Sequence, residues 1–215
     1  MELLSIVTAA FVAVLIGAEV RDDARLRWVA KPLASLAFVA LAVVGGVGEH
    51  PGWGPPMLAG FVLCMLGDVL LIPADKRVFL AGIGAFLLGH VGFAAAFLLR
   101  GVQWGPAAVA AALLIVPVAV VVRWLSPHLK GPMKGAVPAY IVVICAMVSL
   151  SVGTAGVQAA GRGAWLVAGA MAFWVSDLCV ARQRFVVEDW RNRMVGLPLY
   201  YGAMVVLAWA ASTRS

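Results

Sequence analysis

Two aspartates and a histidine interrupt sequence that is otherwise apolar: Asp68 in "GFVLCMLGDVLL" at 60–71, Asp177 in "GAMAFWVSDLCV" at 169–180 and His90 at the end of "FLAGIGAFLLGH" at 79–90. An ionisable side chain at the centre of a spanning helix costs about 2.5–3.5 kcal/mol, so such residues mark places where a protein needs charge or protons. A carboxyl sheltered from water disfavours its charged form and can act as a general acid. A second carboxylate, kept ionised by hydrogen bonds or a nearby cation, can stabilise developing positive charge and direct a water, as paired carboxylates do in glycoside hydrolysis. Asp68, between Gly67 and Val69, has the drier local setting and is expected to be the acid; Asp177, beside Ser176, is expected to be the ionised partner. A structural role stays open for each: Asp68 as a carboxylate paired with Lys31 or with helix-end donors, and His90 as a hydrogen-bonded interior residue.

The elements that must position these groups follow from composition. The chain has 215 residues, 64% of them hydrophobic and only 12% charged, with a mean hydropathy of +1.02, which excludes a soluble domain and indicates an integral membrane protein. Runs of about 20 apolar residues are needed to cross roughly 30 Å of hydrocarbon. Eight such runs, at 3–20, 29–47, 57–73, 78–99, 106–125, 136–154, 164–181 and 195–212, predict an all-α, polytopic bundle of eight transmembrane helices forming a single domain over residues 1–215. The first run has no basic region before it and reads as a retained helix, not a signal peptide.

The formal charge of +6 is explained by a membrane and not by nucleic acid, because twelve of the sixteen Lys and Arg residues fall in alternate loops. Arg21, Arg25 and Arg27 follow the first span, Lys76 and Arg77 the third, Arg123, Lys130 and Lys134 the fifth, and Arg182, Arg184, Arg191 and Arg193 the seventh. Arg100, Arg162 and Arg214 fall on the other side, and Lys31 lies just inside the second span. The positive-inside rule then puts the odd-numbered loops in the cytoplasm and both termini outside, as in a bacterial-type inner membrane.

With that orientation Asp68 and Asp177 lie roughly 6–10 Å inside the cytoplasmic ends of helices three and seven. Lys31, Tyr140, Tyr200, Tyr201 and Glu19 fall in the same half. So many polar groups at one depth imply an inward-facing wet cavity, since each would carry its own penalty if it faced lipid. His90, twelve residues into helix four, is expected deeper, at the cavity floor; Phe79, Gly82 and Phe86 share its face. The tyrosines have an alternative as interfacial anchors, and Glu19 and Arg123 are expected to snorkel outside the site. Cys64, Cys145 and Cys179 are scattered singly and read as small buried hydrophobes. The three histidines, His50, His90 and His128, are too dispersed for a zinc site, so no metal is expected. Asp68 and Asp177 each follow a glycine by eight residues, and Pro32 and Pro138 start helices two and six, which suggests a 4+4 internal repeat.

"KPL" at 31–33, "GDVLL" at 67–71, "FLAGIGAFLLGH" at 79–90, "GAMAFWVSD" at 169–177 and "LYYGAM" at 199–204 together resemble the YhhN family, which includes the lysoplasmalogenases. The likeness covers nearly the whole chain in motif order; Met204 stands where it leads one to expect a glutamine. It implies an ether-bond hydrolase of membrane lipids that splits 1-alkenyl lysophospholipids to a fatty aldehyde and glycerophospho-ethanolamine or glycerophosphocholine without a cofactor. On that reading Asp68, Asp177 and His90 are the catalytic candidates. Lys31, Lys76 and Arg77 would hold the phosphate, Tyr140, Tyr200, Tyr201 and Ser176 would line the substrate site, and His90 would orient a water or a tyrosine. The rival expectation is a transporter or lipid-moving protein that uses Asp68 and Asp177 as proton or cation sites.

Overall fold

The computed structural model describes residues 1–158 and 161–213; Arg214, one of the outward charges, lies outside the described residues. Eight α-helices follow one another: α1 (Glu2–Val20), α2 (Ala24–Val44), α3 (Gly54–Leu70), α4 (Lys76–Arg100), α5 (Trp104–Leu125), α6 (Met133–Ala155), α7 (Arg162–Ala181) and α8 (Trp190–Ala211). There is no strand among the described residues. Seven of the helices are long and apolar enough to cross a membrane, while α3, at 17 residues, is shorter. At 1.5 Å rise per residue it extends about 25 Å, near the lower limit for a crossing.

Several boundaries differ from those expected, and capping explains them. Asp23 accepts a hydrogen bond from the Leu26 amide (3.0 Å), so α2 begins at Ala24 and not at 29. Asp189 accepts from the Arg191 amide (3.0 Å), which starts α8 at Trp190 and not at 195. Asp75 caps α4 through the amides of Arg77 and Val78. An acidic side chain satisfies the free amides of the first turn and complements the helix dipole, and here it draws loop arginines into helix. Lys31 therefore lies well inside α2. At its other end α3 stops at Leu70, ahead of the proline at 73.

Small residues let the helices approach closely, as is usual where neighbouring lipid provides no hydrophobic drive for helix association. On α3 and α4, a Cβ on Gly92 would lie 2.9 Å from the Pro56 carbonyl, and one on Gly67 would lie 2.6 Å from the Phe86 ring. Phe86 thus packs against α3 at Gly67, the residue before Asp68. In the same way α8 fits α7 at Gly169, where a Cβ would meet Leu207 at 2.7 Å. The interior is filled by Phe38, Phe61, Phe93, Phe97, Phe173 and Tyr201, all fully buried. By contrast α5 buries only Ala107, Leu114 and Leu125, and turns Leu113, Ile115 and Val116 outward at 65–72% exposure. That is the pattern of a helix facing lipid.

Past Ala181 the chain of α7 does not simply end. Residues Arg182–Val186 form a π-turn, in which the Val187 amide donates to the Arg182 carbonyl (2.9 Å).

The α3–α4 contact gives a direct expectation. Gly92→Ala places a methyl against backbone and should destabilise the protein by about 1–3 kcal/mol. Thermal denaturation in detergent should show the loss, whereas Gly84→Ala, with nothing within 4 Å of the added carbon, should leave the midpoint where it was.

Candidate active site

At the end of the bundle where the odd-numbered loops meet, a cavity of about 600 Å³ is enclosed by all the helices' ends; Asp68, Asp177, Lys31, Tyr140, Tyr200 and Ser176 are in its wall. Both acids reach it, but their surroundings differ.

Asp68, on the last turn of α3, is 2% exposed. Its Oδ2 accepts hydrogen bonds from Ser35 Oγ (2.6 Å) and Tyr200 OH (2.7 Å), and Lys31 Nζ stands 3.4 Å from Oδ1. Lys31 and Ser35 are four residues apart on α2 and so share a face. Tyr201 OH closes the group from behind, 3.3 Å from Ser35 Oγ and donating to the Lys31 carbonyl at 3.4 Å. One carboxylate therefore receives a cation and two hydroxyls from two other helices, the full set of partners a buried charge requires.

Asp177, on α7, has a side chain 18% exposed, against 3% for Asp68. Its Oδ2 accepts from Tyr140 OH (2.8 Å) and lies 3.4 Å from His90 Nε2. That approach does not meet hydrogen-bond geometry, and Nε2 is buried without a hydrogen-bond partner among the described residues. The other ring nitrogen, Nδ1, is 2.7 Å from the Phe86 carbonyl; a carbonyl only accepts, so Nδ1 carries a hydrogen and a neutral ring turns the lone pair of Nε2 toward Asp177. A single proton on either atom makes the contact attractive. The imidazole is held in place by stacking on Phe173 (4.2 Å, 28°) and by the edge of Tyr140 (5.2 Å). Phe173 in turn meets Tyr200 (5.4 Å), so an aromatic wall joins the two acids' settings.

The mouth is polar. Glu19 pairs with Arg27 (3.3 Å) and with Arg193, and Arg193 also reaches Glu188 at 3.8 Å. Arg182 donates to Asn192 Oδ1, whose Nδ2 donates to Gln183 Oε1 (2.9 Å) and the Val187 carbonyl (3.0 Å).

Of the residues singled out in the sequence, Asp68, Lys31, Tyr200, Asp177, Tyr140 and Ser176 are brought to one cavity. Others stand elsewhere. His90 is fully buried behind Asp177 and does not form an open floor. Tyr201 is behind the wall, and neither it nor Tyr200 is an interfacial anchor, since both are buried at 1% and 6% exposure. Ser176 spends its hydroxyl on the Phe173 carbonyl of its own helix (2.7 Å). Lys76 and Arg77 are exposed on the first turn of α4, outside the cavity wall; the Asp75 cap begins the helix there and their side chains point to solvent. Glu19 does not snorkel away but lines the mouth, because Arg27 and Arg193 hold it there.

The sequence reading missed Ser35, Arg27, Arg184 and Arg193. Ser35 was within reach as the residue one helical turn beyond Lys31; the arginines were not, since only the folded helix ends separate those facing the cavity from those facing water.

A protein-family model described as the YhhN family matches residues 26–211. Among curated proteins, a lysoplasmalogenase of Mycobacterium bovis is 31% identical over 201 residues, covering 90% of this chain and 73% of that protein. A lysoplasmalogenase of Bos taurus is 31% identical over 182 residues (81% of this chain, 72% of that protein), and one of Homo sapiens is 30% identical over 179 residues (81% and 72%). No solved structure matches significantly.

The ion pair can be tested on stability alone. Lys31→Met strands a buried carboxylate and should cost about 3–5 kcal/mol. Adding Asp68→Asn should restore part of that loss, a non-additivity that a double-mutant cycle of thermal or denaturant unfolding would register.

Proposed function

The chain belongs to the YhhN family, and on that premise we propose that it hydrolyses the vinyl ether bond of 1-alkenyl lysophospholipids, as the names of its curated relatives suggest. In this reading all eight helices cross the membrane as one domain. The basic loops and the cavity mouth face the cytoplasm, and both termini lie on the outer side of the cell membrane. The lysolipid enters from the inner leaflet with its tail against the apolar walls of α5 and α6 and its headgroup at the polar mouth.

A vinyl ether resists hydroxide and yields to acid. The hard step is transfer of a proton to the β-carbon, where the π pair forms the new C–H bond and leaves an oxocarbenium ion. Water then adds to the carbon bearing the oxygen, and the hemiacetal collapses as its C–O bond breaks, giving aldehyde and alcohol.

The single observation that carries the proposal is the unequal partnering of two carboxyls in one cavity. Asp68 is engaged on both oxygens by Lys31, Ser35 and Tyr200, which suits the fixed negative charge that stabilises an oxocarbenium ion. Asp177 has no lysine or arginine partner among the described residues. It is the more exposed of the two, and only its Oδ2 is engaged, by Tyr140 and the nearby His90. These features suit the proton donor, so the roles are assigned in the reverse of the order the local sequence suggested. After protonation Asp177 is free to take a proton from the attacking water and so return to its starting form. His90, which does not line the cavity, is a positioning residue that sets the orientation of Asp177.

Purified protein in detergent should release aldehyde from an alkenyl lysophospholipid and none from alkyl or acyl analogues. Asp177→Asn should lower kcat by about 10²–10⁴, the usual range for general acid catalysis, and Asp68→Asn should also abolish most turnover while both variants remain extractable and folded. Unimpaired aldehyde release by both would end the proposal.

A further inference from the structure

The cations first expected to hold the substrate's phosphate are not free to do so. Lys31 is committed to Asp68, and Lys76 and Arg77 stand outside the cavity wall. Arg27 and Arg193 line the mouth, but both are paired with carboxylates: Glu19 bridges them, Asp22 also holds Arg27 at 2.9 Å, and Glu188 reaches Arg193 at 3.8 Å. Arg184 is the exception. It lines the same cavity, no ion pair joins it to a carboxylate among the described residues, and its guanidinium lies 3.9 Å above the ring of Phe79 on α4.

Its position is built and not incidental. Arg184 is in the middle of the π-turn Arg182–Val186, a local widening of helix that frequently accompanies functional sites. The turn is tied to the start of α8 on both sides of Arg184: Arg182 and Gln183 bond Asn192, Gln183 Oε1 also accepts from the Asp189 amide (3.0 Å), and Asn192 Nδ2 reaches the Val187 carbonyl. Asn192 is itself buried at 6% exposure with all these bonds made. Stacking on Phe79 steadies the guanidinium while leaving its in-plane N–H groups available to an anion.

The spacing fits a lysophospholipid. Asp177 and Arg184 are seven residues apart on one continuous helical path, so their Cα atoms are separated by roughly 10 Å along its axis. In a 1-alkenyl lysophospholipid seven bonds separate the carbon to be protonated from the phosphorus, roughly 8 Å when extended.

We propose that Arg184, presented by the π-turn after α7 and braced on Phe79, is the clamp for the phosphate diester of the lysolipid headgroup, fixing the vinyl ether at the level of Asp177. This rests on the lysophospholipid reading. It assigns headgroup recognition to a phosphate contact common to ethanolamine and choline lipids, so Arg184 provides affinity for the class without choosing between them.

The test compares Arg184→Gln with the unaltered protein on two substrates, an alkenyl lysophospholipid and 1-alkenylglycerol, which lacks the phosphate. Losing one charge-assisted contact should raise KM for the phospholipid about tenfold or more, leave kcat within about twofold, and leave the kinetics on alkenylglycerol unchanged. Arg184→Lys should recover part of the loss, and Arg77→Gln, at an exposed position outside the cavity, should behave as the parent. Equal KM values for parent and Arg184→Gln on the phospholipid would overturn the assignment. Titration of both proteins with a saturated alkyl lysophospholipid, which cannot be cleaved, reports the same contact without turnover: weaker binding by the variant supports the clamp and equal binding refutes it. If the parent releases no aldehyde from either lipid, it is the hydrolase reading that fails, and this binding comparison still decides the role of Arg184.

Discussion

The arrangement depends on the ion pair between Lys31 and Asp68. An unpaired carboxylate or ammonium inside an apolar bundle costs about 3–5 kcal/mol, so each group compels the other's position. Satisfying Asp68 draws α2 and α8 onto the end of α3 through Ser35 and Tyr200, and Tyr201 ties α8 back to α2. The glycine-lined approach of α3 to α4 then brings Phe86 against Gly67, the residue before Asp68, and the Phe86 carbonyl sets the His90 tautomer and, through it, the face presented to Asp177. One buried charge thereby organises both halves of the cavity.

The chemical consequence is a difference between two residues of the same type. Asp68 is surrounded by donors. Asp177 has one phenol and one imidazole that makes no hydrogen bond to it. A pair of carboxyls whose environments diverge in this way is the common basis for dividing acid and counter-charge between them. The proposed hydrolysis needs that division because its difficult step puts positive charge on a carbon–oxygen unit inside the helix bundle. The mouth adds a separate function, since Arg27 and Arg193 are paired with Glu19, Asp22 and Glu188, and among the described residues lining the cavity Arg184 is the arginine left for an anion.

The helices were legible in the sequence because runs of apolar residues report burial in lipid directly, and their number and order survive in the structure. Depth was legible too: rise per residue was enough to put Asp68, Asp177, Tyr140 and Lys31 at one level, and they meet one cavity. Direction around the helix axis was not, because a helix apolar on every side has no periodicity from which to read a face. That is why Tyr200 and Tyr201, Lys76 and Arg184 could not be sorted into facing or averted. The partners of each acid were hidden for the same reason, and with them the order of roles. Helix starts at Asp23 and Asp189 were obscured by charged residues that resemble loop but are cap and first turn.

The proposed chemistry requires that proton transfer to carbon be the step that the cavity accelerates. Turnover of an alkenyl lysophospholipid by the purified protein, followed in H₂O and in D₂O with the aldehyde trapped as it forms, measures that step. Rate-limiting proton transfer to carbon requires slower turnover in D₂O and one deuterium on the carbon next to the aldehyde carbonyl. Equal rates in the two solvents, or aldehyde without that deuterium, would contradict it.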